Sequence, residues 1–583
     1  MERRVLLAIF LAFLVLYVWQ AIFVKPVPKP AAGPTAPLTE AAPVPGPIAE
    51  GSGAPTSGAP ATPVAGPKPA ASAAAPLVAD TAEHDVRVET RDVIAVFTNR
   101  GARLKSWRLK HYLDQQRQPQ ELIEQHVSTH PLPFTLRTSN ETVTATVNDA
   151  LYAIAGAPPT TILESSPVDL RFEYRDSAGL HAVKQFHLEP SSYIVSLRAM
   201  ITDGEHALAP AIEWGPAIGD VSETSRYVKK AEGLLFQNGK AVRLAPKDIA
   251  KQSVHEGDFR YAGVDDNYFL VAALFPGPGK VTFQPLALPA ENPKDPAREL
   301  ITFSIEPQLG EAPVKFFAGP KDFDVLASLD RDLARSIDFG WFEVIVVPLL
   351  RSLKWVNAFV GNYGWSIIIL TFIINAIMFP LRHKSVVSMR KMQEIQPEVK
   401  AIQERYSKLK ATDPAKQKMN QELMALYKER GVNPASGCVP MLLTMPFIFA
   451  FYALLSTAIE LRGAPFVGWI HDLSAHDPYF VTPILMGVSQ IWQQKLAPAA
   501  GVDPIQQKMM MLMPVFFTFL FLWYPAGVAL YWFVNNVWAI GQQYATNYMI
   551  GPPNIVASTK ASAGERRMKR VGGGKTDAAA RDN

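Results

Sequence analysis

The stretch WSIIILTFIINAIMFPL, residues 365–381, decides the fold, and Arg382 and Lys384 follow it. A helix of about 20 apolar residues, with a range of about 17–25, crosses a bilayer, so this stretch predicts a membrane span. Thr371 and Asn375 lie four residues apart and share one helix face, which Arg382 extends. Because polar side chains inside a membrane face protein or water, not lipid, the stripe predicts a hydrated surface within the membrane.

The composition of the 583-residue chain excludes several classes of function. Its formal net charge of +4 is too small to indicate nucleic-acid binding. Its single cysteine, Cys438, excludes an intrachain disulfide framework and a multi-cysteine zinc site, and is typical of a small buried hydrophobe. The sequence contains no phosphate-binding glycine loop and no Gly-x-Ser-x-Gly motif. We therefore predict no catalytic residue, no cofactor and no metal.

The N-terminal region predicts a membrane anchor and a tether. Arg3 and Arg4 precede an uncharged run that ends at Val24. This run exceeds the apolar region of about 7–15 residues in a secretory signal, and no convincing cleavage site follows it. We predict an uncleaved transmembrane anchor over residues 1–24 with a cytoplasmic N terminus; a cleaved signal is the alternative. Residues 25–79 form a Pro/Ala-rich linker, which cannot bury a core.

Residues 80–322 consist of short alternating runs, such as residues 93–97, between turn signals. Many short strands without helical periods predict an all-β sandwich, and about 240 residues are enough to bury a core. His126 and His130 have the i, i+4 spacing of a helical metal pair, but Pro131 follows at once. We therefore expect no metal site there.

Residues 323–350 have helical spacing, with an apolar stripe from Leu326 to Ile337. We predict an amphipathic helix on the outer membrane–water interface that leads into a span within residues 351–381. The alternative is a helix that ends the sandwich domain and packs on it.

Residues 382–437 predict a cytoplasmic helical hairpin. Apolar residues from Met392 to Leu409 recur at alternating spacings of 3 and 4, as in a coiled-coil seam. Pro397 should kink or start the first arm, and Asp413-Pro414 supplies the start of the second. Between residues 381 and 437 there are twelve Lys or Arg residues against six Asp or Glu residues. This excess indicates the cytoplasmic side.

Residues 438–550 hold four further predicted spans, at 438–459, 480–492, 509–524 and 528–550. Basic residues in the loops, together with seven in the tail 551–583, predict that both termini are cytoplasmic. The span at 480–492 would cover only about 20 Å. Such short spans are accommodated by thinning the bilayer.

Polar and aromatic side chains on these spans predict a groove that opens to the cytoplasm. The groove residues are Thr371, Asn375, Arg382, Ser489, Gln490, Gln493, Trp523, Tyr531, Trp532, Asn535 and Asn536. At its rim lie Met509, Met510 and Met513, whose thioethers adapt to varied apolar partners. For any single polar residue, hydrogen bonding between helices is the alternative.

Several short motifs match one known family in the same order. They are Asn433-Pro434, Gly437-Cys438-x-Pro440, Met445-Pro446-Phe447, Trp469-Ile470-His471-Asp472-Leu473-Ser474, Asp477-Pro478-Tyr479, Gln506-Gln507-Lys508 and Phe521-Leu522-Trp523-Tyr524-Pro525-x-Gly527. From about residue 339 to residue 550 the chain resembles the YidC/Oxa/Alb family of membrane protein insertases. The anchor, tether and sandwich resemble the form found in bacteria with two membranes, whose large domain is a β-supersandwich related in shape to sugar-binding folds.

The resemblance implies an ATP-independent insertase and chaperone of the inner membrane, with its large domain in the periplasm. It implies nascent membrane proteins, the lipid bilayer and the Sec translocon as partners. It also implies a ribosome at the cytoplasmic hairpin and tail, with no further role for nucleic acid.

The resemblance further implies an arginine in the groove, but the aligned residue here is Asn375. An amide offers hydrogen bonds without charge, whereas a mid-membrane arginine costs about 2.5–3.5 kcal/mol. Arg382 lies about 10 Å further along the same face, and we predict that it partly replaces the charge at the cytoplasmic mouth. Trp532 stands beside Tyr531, where two tyrosines are common.

We therefore predict a membrane α-helical fold, with an N-terminal anchor, a five-helix insertase core and an all-β periplasmic supersandwich. The predicted function is membrane protein insertion, without enzymatic activity. A transporter or channel would favour internal repeats, which the sequence lacks. A membrane-anchored periplasmic carbohydrate-binding protein is the second alternative.

Overall fold

The computed structural model describes residues 75–550, except 115, 126–129, 156–159, 163–165, 219–229, 289–297, 308–312, 407–414, 432–438 and 497–503. The predicted anchor at 1–24, nearly all of the linker and the tail at 551–583 lie outside the described residues, as does His126 of the possible histidine pair. All described residues belong to one structural unit, Ser72–Asn583.

The first part of the described chain is built of strands. They are β1 (Pro76–Val78), β2 (Asp85–Glu89), β3 (Val93–Thr98), β4 (Arg103–Leu113), β5 (Pro119–Glu121), β6 (Thr135–Arg137), β7 (Ala153–Ala155), β8 (Thr160–Ile162), β9 (Val168–Asp176), β10 (Leu180–Leu188), β11 (Ile194–Asp203), β12 (His206–Leu208), β13 (Ala211–Ala217), β14 (Glu232–Gln237), β15 (Lys240–Leu244), β16 (Val254–Asp265), β17 (Phe269–Leu288), β18 (Arg298–Pro307) and β19 (Val314–Pro320). Two short helices, α1 (Glu141–Asp149) and α2 (Pro246–Ile249), lie among them.

These strands form a 14-stranded sheet and a 5-stranded sheet. The larger sheet follows the order β1-β9-β10-β11-β19-β17-β16-β14-β15, with β6, β7, β12, β13 and β18 as branches, and the smaller is β5-β4-β3-β2-β8. The pairing of β2 with β8 is parallel, whereas β3 pairs with both β2 and β4 antiparallel. The predicted all-β domain is confirmed.

Aromatic side chains join the two sheets. Phe186 of β10 contacts Phe97 of β3 with ring centroids 4.8 Å apart. Trp107 Nε1 of β4 donates to the carbonyl of Ala318 in β19 at 2.8 Å. These contacts follow from period-2 alternation, which sends every second side chain into the space between the sheets.

A lysine occupies one of these interior positions. Lys184 of β10 is fully buried, and its ammonium donates to the carbonyls of Gly101 and Phe134 at 2.6 and 2.7 Å. Burial holds the pKa of Lys184 well below its ordinary value. The lysine therefore ties together three chain segments as a hydrogen-bond donor.

The predicted single helix over 323–350 is divided in the structure. Its parts are α3 (Phe323–Leu329), α4 (Arg331–Ala334), a 3-10 turn (Gly340–Phe342) and the start of α5 (Glu343–Val360). The break occurs because Asp330 is extended and its side chain accepts a hydrogen bond from the Asp332 backbone N–H, capping α4. Leu326 and Leu333 are buried in the core that includes the sandwich, as the alternative interpretation expected.

The amphipathic character predicted for this region belongs mainly to α5. Val346 and Leu353 are buried on one side of α5, whereas Trp355 and Phe359 are exposed on the other. Gly361 ends α5 with φ of 69°, and its N–H donates to the carbonyl of Asn357 at 2.7 Å. The predicted span region at 351–381 is therefore broken at Gly361.

Seven further α-helices follow α5 in the described part of the chain. They are α6 (Tyr363–Glu394), α7 (Gln396–Arg405), α8 (Ala415–Glu429), α9 (Val439–Thr457), α10 (Val481–Leu496), α11 (Pro504–Phe521) and α12 (Ala526–Ile550). The first residues of the predicted hairpin at 382–437 continue α6, and Pro397 stands in the first turn of α7. Ile395 and Val399 pack against Leu423 and Leu426 of α8, as the predicted seam requires.

Two helices are longer than the apolar runs at 480–492 and 509–524. The helix α10 has 16 residues and α11 has 18, so they extend about 24 and 27 Å at 1.5 Å per residue. The apolar runs had underestimated them because backbone hydrogen bonding continues through polar residues such as Gln493 and Gln494.

Among the described residues, one helical segment is long and apolar enough to cross a membrane, Tyr363–Ser388. Met445–Thr457 and Met511–Phe521 are shorter apolar segments. The four other C-terminal spans and the complete topology remain predictions.

Candidate functional site

A chain of hydrogen bonds runs along the predicted polar face of α6. Thr371 Oγ1 donates to the carbonyl of Ile367 at 2.6 Å, and Asn375 Nδ2 donates to the carbonyl of Thr371 at 2.8 Å. Arg382 Nη1 then donates to Asn375 Oδ1 at 2.7 Å. Because its amide nitrogen is used on Thr371, Asn375 presents its oxygen to the guanidinium. The arginine side chain therefore reaches back about two turns toward the membrane interior.

These three α6 residues line a cavity with side chains from α9 and α12. The lining consists of Thr371, Ile374, Asn375, Met378, Arg382, Phe447, Ile448, Phe451, Tyr531 and Asn535. Thr371 and Asn375 are almost fully buried. The structure thus brings five of the sequence-predicted groove residues, including Arg382 itself, together in one cavity lining.

The described lining of the cavity contains no Asp or Glu beside this guanidinium. Arg382 donates to the neutral amide oxygen of Asn375. Attraction between opposite charges grows as the surrounding dielectric falls. An incoming carboxylate would therefore be favoured at this position.

Aromatic residues of α9 belong to the cavity but were missed by the sequence analysis. The ring of Phe451 stacks on Tyr531 with centroids 4.4 Å apart and planes 11° apart. Phe447 lies four residues earlier on the same helix. Because α9 is apolar all round, its sequence carries no periodicity that could identify the cavity-facing side.

Two predicted groove residues have a different role. Asn536 Nδ2 of α12 donates to Ser489 Oγ of α10 at 3.1 Å and approaches the carbonyl of Met486 at 3.3 Å. Ser489 and Asn536 are both buried. They join α10 to α12, as the alternative of helix–helix hydrogen bonding expected.

The other predicted residues lie around α10 and α11. Trp532 packs edge-on against Phe521 at 5.2 Å, and Trp523 packs against Phe519 at 5.1 Å. Gln490 and Gln493 are half-buried, and Oε1 of Gln490 has no hydrogen-bond partner among the described residues. None of these four residues lines the cavity.

The predicted methionine rim is only partly described. Met513 of α11 is exposed, while the side chains of Met509 and Met510 lie outside the described part of the structure. In that part, no group of three or more His, Cys, Asp or Glu side chains could hold a metal ion.

Comparison with known proteins places the two parts of the chain in one family. Residues 85–352 match the family model of the YidC periplasmic domain, and residues 355–552 match that of the 60Kd inner membrane protein. The membrane protein insertase YidC of Geobacter metallireducens is 34% identical over 562 residues, covering 94% of this chain and 99% of the relative. The chain belongs to the YidC family of membrane protein insertases. The membrane protein insertase YidC of Geotalea daltonii is 34% identical over 554 residues, covering 94% of this chain and 99% of the relative.

A solved structure to which the chain is similar is an active YidC insertase with its first transmembrane domain resolved. It is 18% identical, has a TM-score of 0.34 and covers 81% of this chain and 95% of that chain. The family assignment rests on the sequence matches. It confirms the predicted resemblance, the fold class and a non-enzymatic insertase function. It also places this protein in the inner membrane with a periplasmic domain.

Proposed function

We propose that this protein inserts and folds nascent membrane proteins through the cavity between α6, α9 and α12. The observation that carries the proposal is the hydrogen bond from Arg382 Nη1 to Asn375 Oδ1. It supports a cationic groove in which Arg382 takes over the charge that the resemblance implies at position 375.

The proposed cavity lowers the barrier for polar client segments. A polar or charged group in hydrocarbon is costly because it loses its hydrogen bonds to water. The amide of Asn375, the amide of Asn535 and the guanidinium of Arg382 offer replacement donors and acceptors within the membrane segment. The cavity would stabilise acidic residues of a client's translocated tail most, because their carboxylates are attracted to the positive charge of Arg382.

A neighbouring apolar surface suits client helices that leave for the lipid. Phe516, Phe519 and Met513 of α11 are all exposed. Apolar side chains of this kind can pack against either lipid or an apolar client helix. We propose that the polar tail passes the cavity while the client's transmembrane helix follows α11.

The full topology is part of the same proposal. The anchor 1–24, the linker 25–79, the sandwich 80–322 and the spans within 351–381 and 438–550 would give a multi-pass protein with both termini in the cytoplasm. The exposed apolar face of α5 supports its position at the outer membrane–water interface. The basic hairpin 382–437 and tail 551–583 would meet the ribosome, and the protein would act alone or beside the Sec translocon.

Arg382→Gln tests the proposed cation. The assay is insertion of a single-span client with an acidic translocated tail into vesicles that contain the full-length protein. Because hydrogen bonds to charged groups contribute about 1.5–3 kcal/mol, the insertion rate should fall about tenfold or more. A client with a neutral amide tail should be affected much less, and Arg382→Lys should retain part of the activity.

Arg171→Gln is the matched control, because this exposed arginine of β9 pairs with Glu173 in the sandwich, outside the cavity. It removes the same charge and should leave insertion unchanged. Equal insertion of both clients by wild type and Arg382→Gln would contradict the proposed role of the cavity.

A further inference from the structure

The sandwich and the membrane part meet at the chain segment that follows α9. Arg462 Nη2 donates to Gln120 Oε1 at 2.8 Å and its Nη1 donates to the carbonyl of Leu113 at 3.1 Å. Asn267 Nδ2 of the sandwich donates to the carbonyl of Ser456, at the end of α9, at 3.0 Å. The periplasmic end of α9 is thus bound on both sides of its terminus.

A charged cluster lies between these two contacts. Lys354 Nζ of α5 lies 3.3 Å from Asp322 Oδ2, 2.5 Å from Asp324 Oδ2 and 3.3 Å from Glu460 Oε1. Asp322 caps α3, directly after the last sandwich strand, and Asp324 stands in its first turn. Glu460 belongs to a 3-10 turn, Ile459–Leu461, after α9. The single positive charge of Lys354 is therefore shared by three carboxylates from two structural elements.

Of the three carboxylates, Glu460 has the least favourable position for carrying a negative charge. Its side chain is only 8% exposed, compared with 14% for Asp322 and 55% for Asp324. Its Oε1 faces Lys354 Nζ at 3.3 Å, longer than the usual N–H···O distance of about 2.9 Å. Burial first, and then the charge of Asp322, raise the pKa of Glu460, although Lys354 opposes them.

Among the described residues, two tyrosines that face Glu460 add no positive charge. Tyr112 of β4 and Tyr363 at the start of α6 interact with it electrostatically. Tyrosine hydroxyls are neutral at physiological pH because their ordinary pKa is about 10. Arg462, two residues along the chain, donates to Gln120 Oε1 and to the carbonyl of Leu113.

We propose that Glu460 is a proton-operated latch that holds the periplasmic sandwich on the segment after α9. Protonation removes the surplus charge and leaves Lys354 to the two aspartates, so the interface tightens. Ionisation buries an unbalanced carboxylate, so the interface loosens. The docked state binds the proton more strongly than a released state with Glu460 in water. Docking is therefore strongest at low pH and weakens as the pH rises through the raised pKa of Glu460.

The latch would act on a wall of the cavity. Phe447 and Phe451 of α9 line the cavity, and α9 ends at Thr457, shortly before Glu460. Docking would therefore restrain the periplasmic end of the helix that carries them. This last consequence rests on the proposed function, whereas the pH-dependent docking does not.

The test is hydrogen exchange of the full-length protein in lipid nanodiscs between about pH 5 and pH 8, with rates corrected for the intrinsic pH dependence of exchange. In the wild type, protection of the segment 458–464 should fall severalfold as the pH rises. Glu460→Gln mimics the protonated carboxyl, so its protection should stay high at every pH.

Glu306→Gln is the control, since this exposed carboxylate pairs with Lys280 elsewhere on the sandwich. It should keep the wild-type pH dependence. If Glu460→Gln does not fold, Asp324→Asn is tested in its place. Removing one carboxylate of the cluster should reduce the pH dependence of protection in the segment 458–464. Protection independent of pH in the wild type, or unchanged pH dependence in Glu460→Gln, would overturn the latch. Either result would leave the insertion assay of Arg382→Gln unaffected.

Discussion

At the scale of single residues, the charge in the cavity depends on the orientation of the Asn375 side-chain amide. Asn375 uses its nitrogen on the carbonyl of Thr371 and its oxygen on the guanidinium of Arg382. Leucine at this position would release Arg382, whereas a carboxylate would capture it. The side chain at 375 therefore decides whether the nearby positive charge is held, free or neutralised.

Asn375→Asp is the sharpest test at this scale, because it changes charge without changing shape. The new carboxylate should form an ion pair with Arg382 and compete with acidic clients. Since hydrogen bonds to charged groups contribute about 1.5–3 kcal/mol, insertion of an acidic-tailed client should fall about tenfold or more. The same vesicle assay measures it, with a neutral-tailed client alongside.

Asn140→Asp is the control for this substitution, because Asn140 is exposed and caps α1 in the sandwich, outside the cavity. It should leave the insertion rate close to that of the wild type. Unchanged insertion of acidic tails by Asn375→Asp would show that Arg382 does not recognise client charge.

At the scale of elements, close approach of α10 and α11 supports the region beside the cavity. A Cβ atom at Gly487 of α10 would lie 1.9 Å from Oγ1 of Thr518 in α11. That hydroxyl is itself held by its bond to the carbonyl of Pro514 at 2.7 Å. The two helices can therefore approach this closely only because position 487 has no side chain.

Gly487→Ala should separate these helices and destabilise the protein. Overpacking of a tight contact costs about 1–3 kcal/mol, which thermal unfolding in nanodiscs would detect as a lower Tm. Adding Thr518→Ala removes the clashing oxygen and should restore much of the loss.

Gly541→Ala is the matched control, because a Cβ atom there meets nothing within 4 Å. It should be neutral or stabilising by up to about 1 kcal/mol, since alanine favours the helix interior. A Gly487→Ala variant as stable as Gly541→Ala would argue against close packing of α10 on α11.

At the scale of the whole molecule, the sandwich is attached to the membrane part by few but specific contacts. Arg462 is central to them, since its guanidinium also lies 4.9 Å from the ring centroid of Phe269. Its hydrogen bonds reach β4 and β5, so one side chain connects the segment after α9 to two strands and an aromatic ring. Docking of the domain therefore depends strongly on this residue.

Arg462→Ala should loosen the docked sandwich at every pH. Loss of the hydrogen bonds and of a cation–π contact worth about 0.5–2 kcal/mol should increase exchange in the segment 458–464. This change is opposite in sign to the one expected for Glu460→Gln. Arg175→Ala, at an exposed position of β9, should leave exchange in this segment unchanged. Equal protection in Arg462→Ala and wild type would refute its role in docking.

The sequence alone determined the features that depend on local periodicity and length. The apolar run at 365–381 predicted a membrane helix, and the i, i+4 spacing of Thr371 and Asn375 predicted one polar face. Period-2 alternation predicted the sandwich, and the ordered motifs predicted the family. Each of these signals lies within a short stretch of chain, where side-chain periodicity reports the element directly.

Only the tertiary structure decided which partner covers each face. It turned Arg382 back onto Asn375 and assigned Asn536 to a helix contact with Ser489 instead of the cavity. It also brought Lys354 to Glu460, more than a hundred residues away in the chain. Periodicity identifies a polar or apolar face, but the residues that meet it come from distant segments. Their positions are set by how whole elements pack, which no local pattern encodes.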